Sequence, residues 1–436
     1  MAEIKETDIL SNIVDKQKLY KAAKNTKISN EDTQRFIDSI FGNYYLDNDN
    51  VNFLVKNGYN FFLFEDEELC FCLSGEQFKD CCKANMVEEK DDKYIPFLKA
   101  IINFENYNEY LDFSSKLYEE TYARLGANEK CNLPYCENKA VENKLYNVDF
   151  EENDFVSSNK RNVFDNNYQM GFSFFNKVKN DQFKYFGFCY QHFIKIQNIE
   201  MTKKSSDEDV LTLNFTTVVY KLFIARVQLE ALKIEFRKFF NSISQETIKP
   251  LNIYNLKKVS NHVSSLIDTY NFFLDSLKGD SKNYEIVKFN LPKTKNFRIK
   301  DVFQPQITPE NFKVVNSINN FFMSESFATI VMNGDKTNSF ITMVYDKTNQ
   351  NMKDFFDQYL KVVQSKTKSE AAFISNCALI LADNIIFDKE WFDSLQDQEK
   401  SLYSALNKFR FQHPNMGQEY LKMKFFAGFS KGNNFF

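Results

Sequence analysis

The chain has 436 residues, 43% hydrophobic and 26% charged, enough to bury a core in two or three domains. A formal net charge of −4 argues against a polyanion binder acting through the whole surface. With 11 glycines and 3 histidines, the chain shows no phosphate-cradling loop of the Walker or Rossmann kind and no Gly-x-Ser-x-Gly nucleophile elbow. The 48 Phe and 22 Tyr accord with an AT-rich coding sequence and are assigned no function in bulk.

Met1 to Glu6 is acidic and lacks an apolar run, so no signal peptide is expected. The most apolar stretch, 371–387, is broken by Ser375, Asn376, Asp383 and Asn384 and is too polar to span a membrane. A cytoplasmic setting follows, where thiols stay reduced and clustered cysteines point to metal. A helix is expected over 7–24, with Ile9, Leu10, Ile13 and Val14 in its stripe. Ser29 with Asp32 reads as a capping box before a helix over 33–41, and 50–64 as a short hairpin.

That hairpin leads into Cys70, Cys72, Cys81 and Cys82, four cysteines within thirteen residues. Four thiolates at this range suit one tetrahedral Zn²⁺. Ser74-Gly75 offers a tight turn, and Phe78 an apolar lid over the metal. This stretch resembles the SEC-C motif, the zinc module of the SecA preprotein translocase and of many unrelated bacterial proteins. Ser74, Gly75 and Phe78 take the framing places, while Leu73 stands where the motif usually has glycine. The resemblance covers these thirteen residues. It implies a module that binds protein partners or nucleic acid, not an enzyme class.

Helical spacing returns over 94–125 in two pieces, with Gly126 as the stop. The second cluster opens with Cys131 and Cys136 and closes with Cys189 and His192. The first pair suits a knuckle turn, and the second the start of a helix, with ligands three apart on one face. Together they make a site of three cysteines and one histidine, treble-clef-like, with residues 149–186 as a long insertion. Seven of the eight cysteines fall in the two clusters.

Ser206-Asp207-Glu208 opens a helix expected to run to about Ser242, and Pro250 opens its antiparallel partner. His262 lies at the edge of that second stripe and reads as a structural histidine. Strands are expected over 284–291, 327–332 and 340–345, the last two joined by the turn Asn333-Gly334-Asp335-Lys336. Helices near 351–364, 368–382 and 389–408 follow, then a tail with five phenylalanines from Phe425 to Phe436. Charge is uneven: residues 46–92 carry twelve acidic and four basic side chains, while 406–431 carry five basic ones against Glu419. A solvated surface is the ordinary meaning of both.

From the Cys-x4-Cys pair to Asp383–Phe387 and Glu390-Trp391-Phe392, the chain looks like a group of uncharacterised bacterial proteins that carry Ser-His after the first cysteine pair. That likeness invites comparison with HNH-type nucleases. Here the corresponding place holds Glu142-Asn143, and no histidine occurs between Cys136 and His192. An HNH centre needs a histidine to activate water, and Asn143 cannot act as a base. Cys377 lies in an apolar helical run, the ordinary place for a buried free thiol, and is not taken for the nucleophile of a dyad with His262 or His413.

The expected fold class is therefore α+β, predominantly α-helical. Expected domains are 1–92 with the SEC-C-like motif, 93–205 with the second site, 206–283 as a long helix pair, and 284–436 as a C-terminal α+β domain. The expected function is a cytoplasmic bacterial protein with two structural Zn²⁺ ions, acting as an interaction or effector module without catalytic residues. A stress or phage-defence role rests only on the kind of families that mix SEC-C with HNH-like clefts. A metal-dependent nuclease of degenerate HNH-like type is the alternative. A protein partner is expected, with nucleic acid the second class and no membrane; oligomeric state is not legible.

Overall fold

Ser206 begins the longest of the described helices by capping it: its Oγ accepts from the Asp209 N–H at 3.1 Å and donates to the Asp209 carboxylate at 2.8 Å. A cap of this kind stabilises a helix by about 1 kcal/mol. The computed structural model describes residues 64–86, 107–148, 154–157, 175–202, 204–239, 248–292, 297–305, 324–334, 338–365 and 382–397, with 150, 308–311, 313, 315–316 and 400. The elements expected at 7–24, 33–41 and 368–381 lie outside these residues, as do the first piece of the 94–125 helix up to residue 106, the 50–64 hairpin up to Phe64, Cys377, His413 and the phenylalanine-rich tail.

In chain order the described elements begin with α1 (Tyr107–Gly126), β1 (Val141–Lys144), β2 (Phe155–Ser157), β3 (Asn176–Lys177), β4 (Lys184–Phe188) and α2 (Tyr190–Gln197). Next come the two long helices α3 (Asp207–Phe239) and α4 (Ile248–Lys278), and the strands β5 (Tyr284–Pro292), β6 (Phe297–Phe303), β7 (Ala328–Gly334) and β8 (Asn338–Asp346). The last are α5 (Gln350–Ser365), β9 (Ile385–Asp388) and α6 (Lys389–Ser394). Two compact units divide the chain. One takes Met1–Tyr110, Leu232–Asn261 and Ser317–Ser324; the other takes Leu111–Ala231, His262–Asn316 and Glu325–Phe436. Both α3 and α4 have residues in each.

An α+β architecture stands, with more sheet than the three expected C-terminal strands. Seven strands pair in the order β3-β2-β9-β6-β7-β8-β5, every neighbour antiparallel. The expected β5, β7 and β8 are present at nearly the expected bounds. Strands β6 and β9 extend them, and β2 and β3 come from the insertion between the halves of the second cysteine cluster. Residues 398–399 and 401–408 lie outside the described residues; Asp397 and Lys400 are helical, and the helix expected over 389–408 opens with a separate six-residue one. Asp388 caps it by accepting from the Trp391 N–H at 2.9 Å, and it ends at Ser394.

The β7–β8 register explains how the sheet is covered. Ile330 faces Met343 and Met332 faces Ile341, while Thr329 faces Val344 and Val331 faces Thr342. Successive side chains alternate between faces. The first set joins Met352, Phe355, Phe356 and Tyr359 of α5, at helical spacing, in one core. Phe356 stacks on Tyr345 with ring centroids 4.1 Å apart. Full burial of each such side chain contributes about 1.5–3 kcal/mol. The second set meets α3, where the Asn214 amide donates to Thr342 Oγ1 at 3.0 Å.

Helix α3 is long and apolar enough over Asp207–Arg237 to cross a membrane, yet 78% of its most apolar window is buried inside the protein. A helix apolar all round is a buried core helix when protein surrounds it. One buried carboxylate in this interior is well supplied with donors. Fully buried Asp301 accepts from the Asp383 N–H at 2.6 Å and the Asn384 amide at 2.7 Å, with Lys221 at 3.6 Å.

Candidate metal centres

The first centre is a small hairpin closed on a 3-10 turn. Leu69 bridges Gln77, the Phe78 N–H donates to the Glu68 carbonyl at 2.9 Å, and the Cys70 N–H donates to Glu76 at 2.9 Å. Between them the chain reverses through Leu73 at φ 58° and Gly75 at φ 82°. The Phe78–Asp80 turn then delivers Cys81 and Cys82. The ligand atoms of Cys70, Cys72, Cys81 and Cys82 all lie within 4.8 Å of one another, with Cys72 and Cys81 sulfurs 3.4 Å apart. None of them forms a disulfide. Sulfurs bound tetrahedrally at ~2.3 Å stand about 3.8 Å apart, so the quartet fits one small ion.

Phe78 does not serve as a lone lid. Its ring packs at 4.8 Å on Phe64, and Phe71 packs at 5.1 Å on both Phe64 and Phe236. Lys257 lies 4.8 Å over the Phe64 ring and pairs with Glu68 at 2.9 Å. Ser74 Oγ accepts from the Glu76 N–H and donates to Cys81 Sγ, each at 3.2 Å. Arg237 adds a guanidinium 4.0 Å from the same sulfur.

The second centre is a knuckle, a two-stranded ladder and a helix start. The Cys131 N–H donates to the Asn138 carbonyl at 2.8 Å, and the turn between runs through Tyr135 at φ 64°. Strands β1 and β4 pair antiparallel, and Cys189 is the residue that caps α2. Cys131, Cys136, Cys189 and His192 bring their ligand atoms within 4.8 Å of one another. His192 turns Nδ1 inward, 3.3 Å from Cys131 Sγ and 3.4 Å from Cys189 Sγ; Cys136 and Cys189 are 4.0 Å apart.

The thiols of each quartet perturb one another. A hydrogen bond with Cys82 draws Cys70 down to about 5, and the same bond pushes Cys82 well up. Burial pushes Cys81 up to about 11 and Cys131 up to about 12. Burial also opposes Cys189, but hydrogen bonds from the His192 backbone and neighbouring thiols outweigh it and lower that thiol. Sulfurs that share protons at contact distance are the donor set that a soft divalent cation binds by displacing those protons.

Asn143 and Asn132 serve the second centre in a way the sequence did not suggest. Asn143 is fully buried; its Oδ1 accepts from the Phe188 N–H at 2.7 Å and its Nδ2 donates to the Phe188 carbonyl at 3.3 Å. The Asn132 backbone N–H and side-chain amide both donate to the Gly187 carbonyl, at 2.9 and 2.6 Å. These bonds fix the residues just before Cys189. Asn143 is thus a structural latch here.

No family model, curated protein or solved structure matches this chain. The likeness to SEC-C and to the nuclease-like group therefore rests on the residues alone. What the fold brings together are two Cys/His clusters that could hold metal ions, Cys70, Cys72, Cys81 and Cys82 in one and Cys131, Cys136, Cys189 and His192 in the other. His262 belongs to neither cluster; its Nδ1 is 2.6 Å from Glu325 Oε2 and its ring edge-on to Phe327. Of the missed residues, Asn143 was adjacent to the motif. Arg237 lies 156 positions from Cys81, and no local pattern pointed to it.

Proposed function

We propose that the chain is a zinc protein whose two ions are structural, and that it acts as an interaction or effector module. The observation that carries this is closure: each quartet supplies four protein ligands within 4.8 Å. A catalytic zinc keeps one position open for water, whereas a four-ligand site contributes folding energy instead. The donor sets, four cysteines in one centre and three cysteines with a histidine in the other, are those Zn²⁺ prefers over harder cations.

On this reading the first centre is a SEC-C-like clasp that serves attachment to a protein partner. The second follows treble-clef order, knuckle then ladder then helix. Clustered thiols that must stay reduced to bind metal favour a cytoplasmic setting. The nuclease alternative loses ground because Asn143 spends both its polar atoms on Phe188. The reading is tested by incubating zinc-loaded protein with plasmid, linear DNA and RNA in Mg²⁺ or Mn²⁺. No cutting is expected; metal-dependent cutting that is lost on changing a carboxylate would overturn the reading in favour of an enzyme.

A further inference from the structure

Four thiolates on a divalent ion leave a net charge of −2, whereas three thiolates and a neutral imidazole leave −1. The two quartets therefore differ by one unit of charge. Their surroundings differ in the matching sense. Beside the four-cysteine quartet, Arg237 is half-buried and holds Nη2 4.0 Å from Cys81 Sγ, where Ser74 already donates. Among the described residues, its buried Nε has no hydrogen-bond partner. Near the quartet that includes His192, Arg226 is instead paired with Glu129 at 2.7 Å.

We infer that Arg237 is the outer-sphere counter-charge of the Cys70–Cys72–Cys81–Cys82 centre, drawing electron density from its sulfurs and slowing loss of the ion. A planar guanidinium suits this role, since several N–H groups can face neighbouring sulfurs at once. Partners outside the ligand shell orient ligands and tune the metal, and their removal weakens binding about tenfold to a hundredfold. The neighbouring residue of α3, Phe236, packs on Phe71 and Phe78 of the same hairpin, which keeps Arg237 in register with the sulfurs. The competing account is that Arg237 only packs its aliphatic stem.

The inference rests on the zinc reading, and one experiment separates the two. Full-length wild type, Arg237→Met and Arg237→Lys are loaded with zinc and counted by elemental analysis, then exchanged into cadmium. Cadmium NMR resolves a four-sulfur from a three-sulfur site, and a chelator titration shows which empties first. Absence of a four-sulfur resonance in wild type would end the zinc reading before any variant is compared. If that resonance is present, Arg237→Met, which keeps an unbranched stem, is expected to shift it. Its ion should also be lost at about tenfold to a hundredfold lower chelator, with the three-sulfur site unmoved as internal control. Arg237→Lys keeps the charge but loses the fork of donors, and should recover part of both effects. An Arg237→Met spectrum and titration matching wild type, or an Arg237→Lys variant no better than Arg237→Met, would overturn the inference.

Discussion

Leu73 occupies a backbone position that side chains resist. At φ 58° it sits in the left-handed region, where a non-glycine residue costs roughly 1–2 kcal/mol. Its side chain is 40% exposed, so little packing compensates. Glycine, the usual residue of the motif it resembles, would adopt this φ freely but lose more chain entropy on folding. Leu73→Gly is expected to stabilise the loaded clasp by about 0.5–1 kcal/mol, read as tighter retention of one ion against a chelator. Weaker retention would mean that Leu73 packs on something that matters.

A second residue-scale effect concerns pH. Lys300 donates to the Leu145 carbonyl at 3.0 Å, and burial, with Arg298 adding, pushes its pKa down to about 8. In the unfolded chain a lysine titrates near ~10.4. Below pH 8 both states carry the proton and the cost of burying it is fully present. Between about 8 and 10 the unfolded chain binds more protons, so this site's contribution to stability rises with pH. The urea midpoint of wild type relative to Lys300→Met should therefore climb from about pH 7.5 to about 10. A flat difference would contradict the assignment.

Elements show where sequence patterns carry information. Helices α3, α4 and α5 were legible because long apolar stripes dominate them, and Ser206 and Pro250 mark the starts of the first two. Strand β6 was missed because Arg298, Lys300 and Asp301 interrupt its apolar run. The interior provides Asp301 with partners from the chain before β9, which no local rule anticipates. Strands β2 and β3 are only three and two residues long, within an asparagine-rich insertion. Gly126 was read as a helix stop, and close approach constrains it as well, since a Cβ there would fall 2.2 Å from the Phe186 ring. Asn143 joins β1 to β4. Asn143→Ala leaves both Phe188 backbone groups without that partner, at a cost of about 1–3 kcal/mol. Loss of one metal equivalent under mild chelation should accompany it, whereas unchanged retention would show that the latch is not needed to hold Cys189.

At the scale of the molecule, local and distant ligands were not equally easy to find. Cys70 to Cys82 announce themselves within thirteen residues, whereas Cys131 and Cys189 are joined only by folding. They were still found, because histidine and cysteine are scarce elsewhere in the chain. The sheet drew one edge strand, β3, and its neighbour β2 from between the two halves of that site, a connection invisible in composition or periodicity. Outer-sphere residues such as Arg237 were out of reach for the same reason: their role is set by a position in space, not by a spacing.

Both quartets are read as filled by one ion each, so counting metal tests the account most directly. Elemental analysis of the purified chain against protein concentration should give about two zinc ions per molecule, following four ligands per ion. Cys72→Ser and Cys131→Ser should each remove one. A wild-type value of one or none, or serine variants that keep both ions, would contradict the account.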